Sequence, residues 1–468
     1  METKKVIVIG GGITGISTTY FLQKEARDKS LPIEVKLIES SSRLGGVIQT
    51  VKKDGFVIEK GPDSIIVSKK SGLKMIEDVG LKDQVVYNTA GKSYILVNGK
   101  LHTMPEGSYM GIPTKVTPFI TSGLFSPVGK IRAAADFILP KGKKQSDQSL
   151  GGFFRRRLGD EIVENLIEPL LSGIYAGDID QLSLMSLFPN FYQMEQKYRS
   201  LVFGLKRTIP KAPKKIKKQP TKKGMFLSLK SGLETLIEEI EKKLNEGSVL
   251  KNIGVNQIER EGEGYKVIVS NGETLFANSV VIATNHFQAQ KMLQNYSFMN
   301  IFKEMPSNSV ANVAMAFPKT AIKEDIEGTG FIVSRNSDFR ITACTWTHKK
   351  WPGSTPEGKV LLRCYVGKPD DQEVVNLSDE EIIQIALTDL NKTMNITAKP
   401  EFHIVTRWKD SMPQYTVGHL ERMTRVKEAL NRDLPGVYLA GGSFEGVGIP
   451  GCIDQGEGAA NKVLNYLN

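Results

Sequence analysis

Val6, Ile7, Val8 and Ile9 run without a polar break into Gly10, Gly11 and Gly12, and a helical pattern opens at Thr14 and Gly15 and continues through Glu25. A short apolar run that stops on glycine and resumes with helical period reads as strand, turn and helix. In such a unit Gly10 makes the tight turn, Gly12 lets the backbone approach a pyrophosphate, and Gly15 lets helix and strand pack closely. The N–H groups that open the helix, at Ile13 and Thr14, face the phosphate charge. A second apolar run, Ile33 to Ile38, ends on Glu39, about 20 to 25 residues past the glycines, where an acid accepts hydrogen bonds from a ribose. With 44 glycines in 468 residues, chance alone supplies about 0.4 matches to the glycine spacing, so the weight rests on the strand before it and the acid after it. The stretch is expected to bind a dinucleotide.

The residues after the acid select the dinucleotide. Ser40, Arg43, Gly45 and Gly46 continue from Glu39 as an E-x-x-x-R-x-G-G string, and Gly61, Pro62, Asp63 and Ser64 come after an alternating strand, Gly55 to Lys60. This resembles the FAD-binding signature of the amine oxidase and protoporphyrinogen oxidase superfamily. The resemblance implies an extended FAD, a second glycine pair where the chain passes close to it, and an arginine reaching its diphosphate. A plain NAD(P) dehydrogenase has no need of this second element.

Further along, Ser71 to Leu81 fits a short amphipathic helix, and Tyr94 to Val97 and Leu101 flank Asn98-Gly99, a hairpin signal. Met104 to Leu139 is apolar but broken by Pro and Gly; a buried helical core, a lid and a membrane-dipping surface are all open, the buried core being the plainest. Asp147 or Ser149 caps a helix that Gly159 ends, and a second helix spans Asp160 to Leu171. Ser172-Gly173-Ile174-Tyr175-Ala176-Gly177-Asp178 reads physically as a glycine-hinged loop. Its wording resembles the S-G-[IV]-Y-A-G-D segment of oxygen-dependent protoporphyrinogen and coproporphyrinogen oxidases. Strands at Val255 to Ile258 and Tyr265 to Val269 form a small meander, and Ser279 to Ala283 is a buried strand of parallel type. From Ser309 to Arg407 strands alternate with turns around one helix, Ser378 to Met394, capped by Ser378; this is an antiparallel sheet suited to a pocket wall. Val437 to Ala440 is a last buried strand, and Gly446, Val447, Gly448 and Ile449 form a turn before a final helix.

The family resemblance spans Lys4 through Gly456 and carries further implications. It gives an α/β fold, with a Rossmann-type FAD-binding domain assembled from residues 1–85, 225–285 and 425–468. An α+β substrate-binding domain takes 86–95 and 286–424, and a mostly helical insert 96–224. The backbone at Val255 meets the adenine, Trp408 approaches the flavin, and the N-terminus of the last helix points at the flavin pyrimidine edge, where its dipole stabilises negative charge. The implied reaction is a six-electron oxidation of a porphyrinogen in three flavin cycles, with O2 as acceptor and H2O2 as product. Lys69, Lys70, Gly173 and Arg407 are the candidate substrate contacts, the cations matching propionates; the bacterial branch of the family points to coproporphyrinogen III, with protoporphyrinogen IX as the alternative. No side-chain acid or base is assigned.

Composition narrows the remainder. Three cysteines, Cys344, Cys364 and Cys452, form no C-x-x-C pair and fit a reducing cytosol. The five histidines have no ligand spacing, so no metal is expected, and there is no G-x-S-x-G elbow; the chemistry comes from the cofactor, expected to be bound non-covalently. Much of the +11 net charge sits in seven lysines between Lys211 and Lys223, interleaved with prolines, which read as a solvated loop. No nucleic-acid module accompanies the charge. No apolar run reaches the roughly 18 residues of a spanning helix, so a cytoplasmic protein is expected, at most peripheral at the inner face of the cell membrane; the family resemblance implies hand-over of its product to other haem-pathway enzymes. A flavin amine oxidase or desaturase, a non-enzymatic scaffold of the same fold, and an NAD(P)H-dependent flavin reductase are the other readings. The first would not be expected to carry the S-G-I-Y-A-G-D string, the second is opposed by the intact Glu39 and Arg43, and the third lacks a second glycine fingerprint after a strand.

Overall fold

The computed structural model describes residues 2–89, 91–208 and 224–467; the lysine-rich segment Lys211 to Lys223 lies outside the described residues. The chain divides into two units, one of Met1–Tyr87, Met225–Pro306 and Glu421–Asn468, the other of Asn88–Gly224 and Ser307–Leu420.

The first unit is built on a five-stranded parallel sheet in the order Val249–Leu250, Ile33–Ile38, Lys4–Ile9, Ser279–Ile282, Val437–Leu439. Lys4–Ile9 is central, with Ile9 registered against Ile38 on one side and Ile282 on the other. A central parallel strand has both faces covered, which is why its apolar run is unbroken: Val6 to Ile9 are at most 3% exposed. Val6 and Val8 pack with Ile16 and Tyr20 of the first helix and Ile453 and Val463 of the last, whereas Ile7 and Ile9 pack with Ile258, Val267, Met292 and Phe302. Residues 286–306, expected with the substrate-binding region, therefore belong to this unit, because their apolar side chains complete the sheet's second face.

Two helices lie against the first face. The first, Ile13–Asp28, runs three residues beyond the expected Glu25, and the last is Ile449–Leu467. They cross at Gly456, where a Cβ would stand 2.8 Å from the Thr14 carbonyl oxygen and 2.9 Å from Ser17 Cβ. Only glycine allows that approach. The hydroxyls of Thr18 and Thr19 in this tight contact donate back to the carbonyls of Thr14 and Gly15, so neither is left unpaired.

The second unit carries a seven-stranded sheet in the order Phe402–Pro413, Ser307–Pro318, Lys359–Val366, Ile341–Trp346, Gly330–Val333, Tyr94–Val97, Lys100–Thr103. Its pairings are antiparallel except for Gly330–Val333 with Tyr94–Val97. Asn98 and Gly99 take the left-handed conformations that a two-residue hairpin needs. Residues 96–103, expected in the helical insert, are thus sheet. Helix Asp379–Met394 starts with a capping box between Ser378 and Glu381 and buries Ile382, Ala386 and Leu390 on Val313, Met315, Leu362 and Cys364.

The helical region departs from the sequence expectation in two places. The helix expected over Asp160 to Leu171 contains a π-helical stretch, Val163–Ile167, and continues as Glu168–Tyr175. Ser172 to Tyr175 are therefore helical rather than a loop, and the reversal comes at Ala176, in the left-handed conformation, whose N–H donates to the Ser172 carbonyl. Gly173 is a tolerated helical glycine, not the hinge. In Met104 to Leu139 the helices Val116–Thr121 and Pro127–Ala134 bury Phe119, Gly129 and Ala133, yet Val116, Ile120, Val128, Ile131 and Ile138 are 54–78% exposed. Ile112, Phe119, Leu124, Phe125 and Ala133 do join the helical core, as expected, while a second, apolar stripe faces solvent.

One ion pair fixes this region. Asp136 and Arg157 are fully buried; Oδ1 of Asp136 accepts from Nε and Nη2 of Arg157 at 2.8 and 2.6 Å, and Oδ2 accepts from Ser200 Oγ and the Val202 N–H. Glu195, also buried, stands 3.6 Å from Arg157 Nη1 while pairing with Arg156 at 2.6 Å, so removing Asp136 leaves the buried guanidinium with a longer, shared carboxylate in place of its closest one. Asp136→Ala is expected to lower stability by about 3 to 5 kcal/mol in urea unfolding, against about 1 kcal/mol or less for the exposed pair Arg425–Glu421 cut by Glu421→Ala.

Candidate functional site

The site begins where Lys4–Ile9 and Ile33–Ile38 end. Gly10 holds φ +103°, a conformation L side chains rarely adopt, and its N–H donates to the Ile38 carbonyl at 2.8 Å. Gly15 is set by close approach, since a Cβ there would lie 1.8 Å from the Gly10 carbonyl oxygen. At Gly11 a Cβ would lie 2.5 Å from Leu44 Cδ2 and 2.9 Å from Glu39 Oε2. Gly12 is different: nothing stands within 4 Å of where its Cβ would be.

That opening is walled by the second glycine pair. The Gly45 N–H donates to the Gly11 carbonyl at 2.8 Å, and a Cβ on Gly46 would approach Gly12 Cα to 3.4 Å. The helix starting at Ile13 leaves its first N–H groups without intrahelical partners beside the opening. Backbone donors, a helix N-terminus and a slot that a side chain would fill are what a diphosphate requires.

Glu39 stands at the end of its strand as expected. Its Oε2 accepts from the Gly11 N–H at 2.6 Å and its Oε1 from the Ser41 N–H at 2.7 Å and Ser40 Oγ at 3.3 Å. The carboxylate is thus oriented by its own chain. The segment leading into Val255 bonds to the same corner: Ile253 N–H donates to the Glu39 carbonyl and Asn252 N–H to that of Ser41. Gly61 to Ser64 link the strands Phe56–Glu59 and Ile65–Ile66, with Ser64 Oγ donating to Asp63 Oδ1 at 2.8 Å.

Arg43 is held by its own chain. Its place in the string puts it at the diphosphate, but Nη1 donates to the carbonyls of Leu44 and Ile48 and pairs with Glu234 Oε1 at 3.4 Å, while Nη2 donates to the Gly46 carbonyl. Its guanidinium shapes the Gly45-Gly46 turn from within, and so acts on the slot through the backbone.

The closing turn has Gly446 at φ +127° and Gly448 at φ +96°, with nothing within 4 Å of either Cβ position. Val447 lies between them, and Ile449, buried, opens the last helix. Lys69 is exposed and stands near this helix start, its Nζ 3.5 Å from where a Cβ on Gly451 would be, and Ser71 Oγ donates to the Pro450 carbonyl at 3.1 Å. Cys452 is buried, and burial is the main influence that raises its thiol pKa, opposed by hydrogen bonding with Thr14. Burial thus favours the protonated thiol. His286 is also buried, with Nε2 at 3.0 Å from the Met305 carbonyl and Nδ1 at 3.3 Å from Ser443 Oγ; desolvation lowers its pKa, so the ring is neutral.

Trp408, Arg407 and Gly173 belong to the second unit. Trp408 is half-buried opposite Val310 on a strand that continues to Pro413, past the expected end. Arg407, a candidate substrate contact, is engaged within its own unit: Nε donates to the Val375 carbonyl, Nη2 to that of Leu377, and Nη1 pairs with Asp379. Those donors anchor the start of helix Asp379–Met394. Sequence reasoning missed Gln455, a polar side chain among the small inward residues of the last helix, and Thr284, whose Cγ2 would meet a Cβ on Gly10 at 3.0 Å. Among the described residues no group of three or more His, Cys, Asp or Glu could hold a metal ion.

The chain matches the flavin containing amine oxidoreductase family over residues 13–464. It belongs to that family, and FAD is its dinucleotide. It is 55% identical to the coproporphyrinogen III oxidase of Bacillus subtilis (strain 168), over 99% of this chain and 98% of that one. It is 43% identical to the coproporphyrinogen III oxidase of Staphylococcus aureus (strain NCTC 8325 / PS 47), over 99% and 100%. A crystal structure from Exiguobacterium sp. 255-15, described as a protoporphyrinogen oxidase, superposes with a TM-score of 0.87 at 36% identity, covering 99% of each chain.

The glycines differ in what a methyl would meet, and the difference is measurable. Gly12→Val fills open space and is expected to leave the thermal unfolding midpoint within about 2 °C of the flavin-free parent, below the shift of about 1 kcal/mol, while abolishing the flavin recovered in the supernatant after acid precipitation. Gly15→Ala forces the turn apart and should lose both flavin and stability.

Proposed function

We propose that the chain oxidises coproporphyrinogen III to coproporphyrin III, with O2 as electron acceptor and H2O2 as by-product. The observation that carries the reading is end-to-end identity with two bacterial enzymes of that activity. When bound, FAD supplies two-electron acceptance, which a six-electron oxidation uses three times. The chain's own part is binding and orientation. Gly12 and Gly46 admit the diphosphate, Glu39 holds the ribose, and the Gly446 to Ile449 turn presents a helix N-terminus, worth about 0.3 to 1 kcal/mol to nearby negative charge and more where buried. Three buried cysteines, two in one unit and one in the other, supply no set of four thiolates for an iron–sulfur relay, which supports O2 as the direct acceptor. We hold the cofactor to be non-covalent on the same ground, because Cys452 is protonated and buried.

Coproporphyrinogen has four propionates and protoporphyrinogen two, so the former gains more from cations. With Arg407 engaged elsewhere, Lys69 and Lys70 are the candidate cations that stay exposed, and Lys69 is the one whose Nζ stands beside the start of the last helix. Protoporphyrinogen is the second reading, favoured by the Exiguobacterium structure. Three H2O2 are expected per porphyrin formed, and kcat/KM should favour coproporphyrinogen. A charge-assisted hydrogen bond contributes about 1.5 to 3 kcal/mol, so Lys69→Met should raise KM for coproporphyrinogen about tenfold or more and affect protoporphyrinogen less. A parent enzyme that prefers protoporphyrinogen would reverse the substrate assignment.

We further propose a cytoplasmic location with peripheral contact at the membrane face, and hand-over of product to other haem-pathway enzymes. No helix of the described residues is long and apolar enough to cross a membrane. The support is the apolar stripe Val128, Ile131 and Ile138, adjoined by exposed Lys141, Lys143 and Lys144, a combination that suits anionic lipid. Sedimentation with phosphatidylglycerol vesicles should retain the parent and release Ile131→Glu; equal behaviour with neutral vesicles would remove the electrostatic part.

A further inference from the structure

Gln455 lies in the second turn of helix Ile449–Leu467, and its amide bonds both ends of the preceding turn. Its Oε1 accepts from the Gly441 N–H at 2.8 Å, and its Nε2 donates to the Gly446 carbonyl at 2.8 Å. We propose that Gln455 is a positioning residue that braces the Gly441 to Gly448 turn for the flavin end of FAD. The inference rests on the reading that the Gly446 to Ile449 turn meets the flavin ring.

Ser443, Phe444 and Glu445 anchor the middle of the turn, Phe444 against Phe302 in the core, but its glycine ends are held differently. Gly441, Gly446 and Gly448 all hold positive φ, so the turn has few side chains with which to lock itself. Beside it lies a cavity of about 180 Å³ lined by Ala440, Glu445, Gln455 and Gly458, so close packing does not hold it on that side. Cys452 Sγ reaches the Gly446 carbonyl only at 4.0 Å, and His286 and Lys427 anchor the intervening Ser443 and Glu445. Gly441 also faces the phosphate-binding helix, its Cβ position lying 3.5 Å from Thr14 Oγ1. By joining Gly441 to Gly446, the amide refers the closing turn to the same helix N-terminus that meets the diphosphate.

The test separates the two ends of the cofactor. In full-length protein stripped of flavin by acid, Gln455→Leu should weaken FAD about tenfold or more, the effect of losing two hydrogen bonds, while ADP, which occupies only the Gly12 and Glu39 end, keeps its affinity. The visible circular dichroism of reloaded FAD should change, and Gln455→Glu, which retains the acceptor for Gly441, should fall between. FAD affinity and visible dichroism both unchanged would overturn the proposal, as would equal weakening of FAD and ADP, which marks general damage. Gly448→Val tells the two failures apart: if it weakens FAD while Gln455→Leu does not, only the brace is wrong, and if it too leaves FAD unchanged, the placement of the turn is wrong and the brace falls with it.

Discussion

Two contacts in which glycine meets backbone set the distances on which the first unit depends. At Gly15 the first helix comes so close to the first strand's turn that a methyl would overlap the Gly10 carbonyl at 1.8 Å, and at Gly456 the last helix meets the first with a less severe but still forbidden approach of 2.8 Å. Each contact removes a side chain so that two backbones can approach, and each fixes where a helix N-terminus stands. Steric exclusion at these points is more decisive than any single attraction, because packed interiors have no slack to absorb an added carbon.

Around those contacts polar groups serve the backbone before they serve a ligand. Glu39 orders Gly11 and Ser41, and Arg43 holds the carbonyls of its own turn and Glu234. A site made this way is preorganised: the cost of arranging its donors is met during folding and not when the cofactor arrives. Its specificity then comes from shape and backbone donors, which explains how enzymes of very different substrates can keep the same architecture.

Much of this is legible in the sequence where the determinants are local. The buried strand, the acid that ends the next one, the Ser378 cap, the Gly159 stop and the Asn98-Gly99 hairpin each depend on residues within a few positions of one another. The partners that Arg43 and Arg407 take are not legible there, because a cation's partner is chosen in three dimensions; Glu234 is 191 positions from Arg43. Ser172 to Tyr175 read as a loop because glycine is a breaker only on average, and helix packing overrides a penalty of about 1 kcal/mol. The exposed stripe in Pro127–Ala134 is hidden for the opposite reason, since helical periodicity reports that one face is apolar but not whether that face is the covered one.

The strand order has a consequence for how the chain is made. Lys4–Ile9 leaves a ribosome well before its neighbour Ser279–Ile282, and before the Val437–Leu439 strand and Ile449–Leu467 helix that complete its surroundings, which are translated hundreds of residues later. At typical elongation rates of about 5 to 20 residues per second that interval is on the order of tens of seconds, during which an apolar strand has an unpaired edge. All of the second unit is synthesised before the first can close. Capture of FAD is therefore a step of late maturation, and a nascent chain truncated before Gly456 would carry the nucleotide fingerprint without the means to use it.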